Sequence, residues 1–294
     1  MEDLIVSMYS NGISTRRIAG IMEDILGNKY SKSTVSRITD LTMEEVYKFI
    51  NRPLDKRNIA VFLDGLFFYL RRGNVDKEPV IFALGIKETG EYELLGFYLT
   101  VKESHNTYKD VLEDLYNRGL KEPLLIVADG IKNLDEEVME IYPGSEFQLC
   151  TIHYARGLKS NVRENDIVFT LLLTSPFNRS IALVDFNDFK YKWESKYPKV
   201  IYNTEKNLGK LLRFYNYPSS IWRSLKSTNA IERLNGEVRR RVKTISSFPD
   251  EDSAMKVFYY KSIEYNSKHA FRKMNGYYKC NDEIKEMFNK RYPL

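Results

Sequence analysis

The chain has 294 residues, 43% hydrophobic, 29% charged and 13% aromatic, with 9 Pro and 15 Gly, a balance that excludes a disordered chain and can bury a sizeable core. No apolar run approaches the roughly 20 residues of a membrane span, and Glu2 and Asp3 stand where a signal peptide would be basic, so a cytoplasmic protein with no membrane partner is expected. The formal net charge is only +5, yet 205–243 holds ten Lys or Arg against three Asp or Glu; the two cysteines, Cys150 and Cys280, cannot make a disulfide framework.

Residues 1 to about 50 carry helical patterns only, over Glu2 to Tyr9, Ser14 to Leu26 and Ser31 to about Ile50. Asn11-Gly12 and Gly27-Asn28 break them, and Ser14 and Ser31 are the expected N-caps. The segment SKSTVSRI has the form of the reading helix of a helix-turn-helix, which would present Ser33, Thr34, Ser36 and Arg37 to DNA; a plain helical hairpin is the alternative.

From Asn58 the period changes. IAVFLDGLFFYLR, PVIFALGI and YELLGFYLTV predict three sequential strands. A helix over Asn106 to Arg118 follows, with Tyr108, Val111, Leu112 and Leu115 on one face, and then the apolar run LLIVAD from Leu124 to Asp129, suited to a strand buried on both sides. A helix from about Asn133 to Tyr142 and a strand over Phe147 to Cys150 complete an α/β unit with a mixed five-stranded sheet. Residues 160–225 are predicted as a helical insertion, broken at Ser175-Pro176 and Tyr217-Pro218. The clearest helix is Thr228 to Lys243: Ile231, Leu234, Val238 and Val242 form its apolar stripe, and Glu232, Asn235 and Arg239 share an adjoining face.

Asp64 interrupts a hydrophobic strand, where an ionised carboxylate needs a cation or strong donors. Asp129 ends a strand, the place where open α/β sheets usually build sites. If the first and fourth strands are neighbours, both reach one ion, and hard oxygen ligands suit Mg²⁺ or Mn²⁺. With Glu232 as third carboxylate, two ions would serve in-line displacement at a phosphodiester, and Arg233, Arg239, Arg240, Arg241 and Lys243 on the same helix would hold the DNA backbone. Each carboxylate also has a structural reading: Asp64 bonding turn amides, Asp129 capping the next helix, Glu232 as a solvated ion-pair partner.

These residues resemble the Mutator-type transposases of bacterial and archaeal insertion sequences. VFLDGLFFYLR resembles the block of the family's first aspartate, LLIVADGIKNL that of its second, and STNAIERLNGEVRRRVKTISSFPD its glutamate block, while LCTIHYARGL resembles its Cys-x-x-His segment. The resemblance implies an RNase H-like core with flanking helices, a helical insertion before the glutamate and a helix-turn-helix-like start. The expected divisions are 1–52, a core of 56–159 with 226–250, an insertion at 160–225 and a helical extension at 251–294. It implies Asp64, Asp129 and Glu232 as catalytic and metal-holding residues with two Mg²⁺ or Mn²⁺ ions. Glu237, the rival, is turned about 140° from Glu232 on the helix.

Cys150 and His153 supply only two ligands for zinc, so with Asn235 they are read as support for the site, His153 contacting phosphate or orienting a catalytic group. The resemblance further implies a homodimer acting on terminal inverted repeats and target DNA, and association with the nucleoid through DNA. Family members generally have a longer N-terminal region, so a shortened copy with impaired end recognition is a further expectation. The alternatives are a non-catalytic DNA-binding regulator of transposition and another RNase H-like nuclease.

Overall fold

The computed structural model describes residues 5, 8, 9, 13, 15–26, 32–159, 161, 162 and 178–293. The β-branched and aromatic runs form a meander of β1 (Arg57–Arg72), β2 (Asn74–Lys87) and β3 (Tyr92–Leu99), each pair antiparallel. Gly73 turns the first hairpin with φ of 91°, a conformation that a Cβ disfavours. A helix, α3 (His105–Asn117), whose Ser104 cap accepts from the Thr107 amide, leads to β4 (Glu122–Pro123) and β5 (Leu125–Ala128). Helix α4 (Leu134–Ile141) and β6 (Glu146–Leu149) follow. The sheet order is β3-β2-β1-β5-β6, with β1, β5 and β6 parallel and β4 also pairing with β1.

The sheet therefore has six strands where five were expected. Pro123 has no N–H to give, and the ladder along β1 divides at Leu124 into the two-residue β4 and the apolar β5. Leu124 itself still donates to the Asn58 carbonyl at 2.9 Å.

Alternation along β1 separates two cores. Ala60, Phe62, Leu66 and Phe68 face one side, where they meet α9 (Asn229–Ile245), α10 (Glu251–His269) and α11 (Asn281–Arg291) through residues such as Leu234, Val238, Phe258 and Phe288. Val61 and Leu63 face the other, against Tyr108, Leu112 and Leu115 of α3 and Val138 of α4. Four phenylalanines, Phe68, Phe82, Phe97 and Phe258, interlock on the first side at centroid distances of 5.1 to 6.3 Å.

After β6 come α5 (Thr151–Lys159), α6 (Arg179–Trp193), α7 (Pro198–Leu211), two short 3₁₀ turns and α8 (Trp222–Leu225). Phe186, Phe189, Ile201 and Leu211 bring α6 and α7 onto the side occupied by α3 and α4. The Tyr217-Pro218 break lies between the 3₁₀ turns; Ser175-Pro176 lies outside the described residues. Arg291 on α11 reaches back to the sheet, donating to the Leu124 carbonyl at 2.9 Å and to Glu146 at 2.7 Å.

At the N-terminal end are α1 (Thr15–Leu26) and α2 (Lys32–Asn51). Ile18 and Met22 pack with Ile5 and Val35, while Val46, further along α2, joins the core of the sheet. The expected turn at Gly27-Asn28, the Ser14 and Ser31 caps and the Asn11-Gly12 break lie outside the described residues, as do the side chains of Ser33, Ser36 and Arg37.

Candidate active site

Asp64 shares its side of β1 with Phe62 and Leu66, so its carboxylate faces α9 and is only 8% exposed. Its hydrogen-bond partner is the side-chain amide of Asn235 on α9, which donates at 2.7 Å. Among the described residues no turn amide bonds it. Burial lifts the carboxyl to about 6; the His153 charge and the Asn235 bond pull it down, and the charges of Glu232 and Asp129 push it up.

Asp129 follows β5 directly. The register pairs Val61 with Ile126 and Phe62 with Val127, so counting on by two sets Asp129 level with Asp64 on the neighbouring parallel strand. It also falls on the side of the sheet that Val127 shares with Phe62. Asp129 is exposed, and its carboxylate accepts from the Gly130 amide at 2.6 Å. It does not cap the next helix: the residue at that position is Asn133, without a side-chain cap bond.

Glu232 lies in the first turn of α9, three residues before Asn235 and on the same face. Its carboxylate meets Arg156 of α5 at 2.8 and 3.4 Å, and the His153 Nε2 lies 3.4 Å away. Glu237 turns to the opposite side of α9, where it lines a small cleft with Tyr92, Arg233, Tyr265, His269 and Arg272.

The Cys-x-x-His segment ties α5 to the start of α9. The buried Cys150 Sγ lies 3.2 Å from the Thr228 hydroxyl and accepts from the Thr228 amide at 3.4 Å; the same hydroxyl is 3.4 Å from the His153 Nδ1. Thr151 adds two bonds to the Lys226 carbonyl, from its amide at 3.1 Å and its hydroxyl at 2.9 Å. Hydrogen bonding to Cys150, and then the negative charges of Cys150, Asp129 and Asp64, outweigh burial and raise His153 to about 9. Burial alone would raise the Cys150 thiol, but its bonds with His153 and Thr228 prevail and lower it.

Asp64, Asp129, Glu232, Asn235 and His153 thus gather where β5 ends beside the middle of β1. Among the described residues no three His, Cys, Asp or Glu side chains converge closely enough to hold a metal ion. The expected DNA-contacting cations divide: Arg239, Arg240 and Lys243 are exposed on α9, whereas Arg241 is 8% exposed and donates to the Thr244 hydroxyl at 2.7 Å. Arg233 is exposed but stands on the side of Glu237, away from Glu232.

Sequence reasoning missed Arg156 and Thr228. For Arg156 a signal existed, since it lies three residues beyond His153 and shares its helix face. Thr228 was visible only as a helix start; its side chain bonds across to Cys150 instead of capping α9.

The sequence profile described as "Transposase, Mutator family" matches residues 1–270. The chain is 34% identical over 293 residues to the transposase for insertion sequence element IS905 of Lactococcus lactis subsp. lactis, covering 98% of this chain and 75% of that protein. It is 32% identical to the transposase for IS1201 of Lactobacillus helveticus, over 86% of this chain and 70% of the relative. To the transposase for IS256 in transposon Tn4001 of Staphylococcus aureus it is 29% identical, with 85% and 66% covered.

Proposed function

The chain belongs to the Mutator family of transposases, and from that premise we propose that it cleaves and joins DNA at the ends of an insertion sequence, using Asp64, Asp129 and Glu232. The observation that carries this reading is a buried carboxylate, Asp64, on one side of the sheet with Asp129 level beside it and α9 crossing above. Three antiparallel strands followed by two parallel strands with intervening helices support an RNase H-like reading of the core.

The donor set fits hard divalent ions at the two aspartates, since two carboxylates stand level on neighbouring strands and offer hard oxygen ligands. Glu232 fits once its carboxylate is released from Arg156. Two Mg²⁺ or Mn²⁺ ions held by these carboxylates would supply charge stabilisation to the attacking and leaving oxygens of the phosphodiester. The protein's own residues would do the rest. Asn235 fixes the Asp64 carboxylate, the links of Thr228 to Cys150 and His153 hold the start of α9, and Arg239, Arg240 and Lys243 hold the DNA backbone. The partners of this reading are terminal inverted repeats and target DNA, with a homodimer joining paired ends in the cytoplasm at the nucleoid. Among the described residues no helix is long and apolar enough to cross a membrane.

One observation favours a second reading. Glu232 is engaged by Arg156, and among the described residues no three ligating side chains converge, as suits a protein that occupies DNA ends without cutting them. Strand cleavage and joining by the purified chain on terminal-repeat DNA with Mg²⁺ or Mn²⁺, beside Asp129→Ala, decides between them. Metal-dependent products lost in the variant uphold the transposase reading; binding without products upholds the second.

A further inference from the structure

Next to the carboxylates a cleft of about 720 Å³ is lined by Asp129 and His153 on one hand and by Tyr154, Tyr197, Lys199 and Asn203 on the other. It therefore joins the candidate site to α7, an element of the helical insertion that the proposed chemistry leaves without a task. Resting on the DNA-cleaving reading, we propose that this cleft receives a single nucleotide unpaired from the duplex beside the cleaved phosphate.

Size is the first reason. The cleft is equivalent to a sphere about 11 Å across, about the width of one groove of the double helix and less than the duplex as a whole, so its size matches a single nucleotide. The lining is the second. Tyrosine rings give sequence-tolerant stacking surfaces, asparagine amides pair with base edges, and lysines hold phosphate. Asp129 is the only acidic residue among the described residues of the lining. The Tyr154 ring is already fixed, its hydroxyl lying 3.0 Å from that of Thr204, and the Tyr197 ring leans on Trp193 at 6.0 Å. The third reason is position. Enzymes that act on a base draw its nucleotide out of the stack into a pocket beside the reacting groups, and this cleft stands directly next to the carboxylates.

The test places 2-aminopurine, one position at a time, at the nucleotides flanking the cleavage point of terminal-repeat DNA, bound by the full chain in EDTA so that nothing is cut. At one position the emission or lifetime should change about threefold or more on binding, as duplex stacking is lost. That change should disappear in Tyr197→Ala, and in Asn203→Leu at an exposed helix position, while duplex affinity and its salt dependence persist. An undiminished change in both variants, or no change at any position while DNA is bound, overturns the proposal. If the cleft behaves as expected but Asp129→Ala leaves cleavage intact, it is the catalytic assignment that falls. If the chain binds no DNA, both fall.

Discussion

The amide of Asn235 donates a 2.7 Å hydrogen bond to the buried carboxylate of Asp64 across 171 positions of sequence, locking α9 onto β1 at the candidate site. Asn235→Ala leaves that carboxylate without this donor. A destabilisation of about 1 to 3 kcal/mol at neutral pH is expected, since the acceptor stays buried. Urea unfolding checks it; cleavage should fall as well, because the bond also favours the ionised form.

Asp64 should trade stability for function. Its carboxyl keeps a proton up to about pH 6 in the folded state and, at the ordinary 3.8, only to about pH 4 in the unfolded one. Between these values the native state binds more protons, so stability falls as pH rises, and above 6 the whole penalty of about 3 kcal/mol is present. Asp64→Asn, which can still accept from Asn235, should therefore be the more stable protein at pH 7.5 and lose that advantage near pH 4, while cleavage disappears. Thermal melts of both proteins from pH 4 to 8 without divalent ions decide it; equal melting points at pH 7.5 would refute the burial penalty.

Arg156→Ala removes a cation that competes for Glu232. Arg156 is exposed, so folding should change by less than about 1 kcal/mol. The Mn²⁺ concentration that half-maximally raises the melting temperature should drop several-fold, and Asp129→Ala should respond to Mn²⁺ less than the unaltered chain. A metal requirement identical with and without Arg156 would show that the ion pair does not compete.

The basic run on α9 should divide on substitution. Arg239→Ala and Arg240→Ala, both at exposed positions, should weaken DNA binding on every sequence and flatten the salt dependence by about one unit of slope each. Arg241→Ala should instead lower the melting temperature, because its guanidinium is buried and bonded to Thr244. Equal salt slopes for the Arg239 and Arg241 variants would refute this division.

What could be foreseen follows from local pattern. The strand around Asp64 and β5 declare themselves as continuous apolar runs, α9 by its repeating stripe, and the shared face of Glu232 and Asn235 comes from helix geometry alone. Even the burial of Arg241 was legible in phase, since it stands three residues past Val238 and seven past Leu234; its charge hid it. Other features depend on partners distant in sequence. The polar start of β2, 74–78, becomes strand only because β1 extends beside it. The meeting of Arg156 with Glu232 spans 76 positions, and no local pattern encodes it.

Such distances also set an order in time. Synthesis at about 5 to 20 residues per second separates the emergence of Asp64 from that of Asn235 by roughly 10 to 30 s. During that interval a growing chain carries the meander and, later, Asp129, but has no α9 to cover them. A product interrupted before residue 229 would hold two of the three proposed carboxylates and, on that proposal, be unable to cut. On the proposed reading, competence to break DNA thus arrives in one late step of translation.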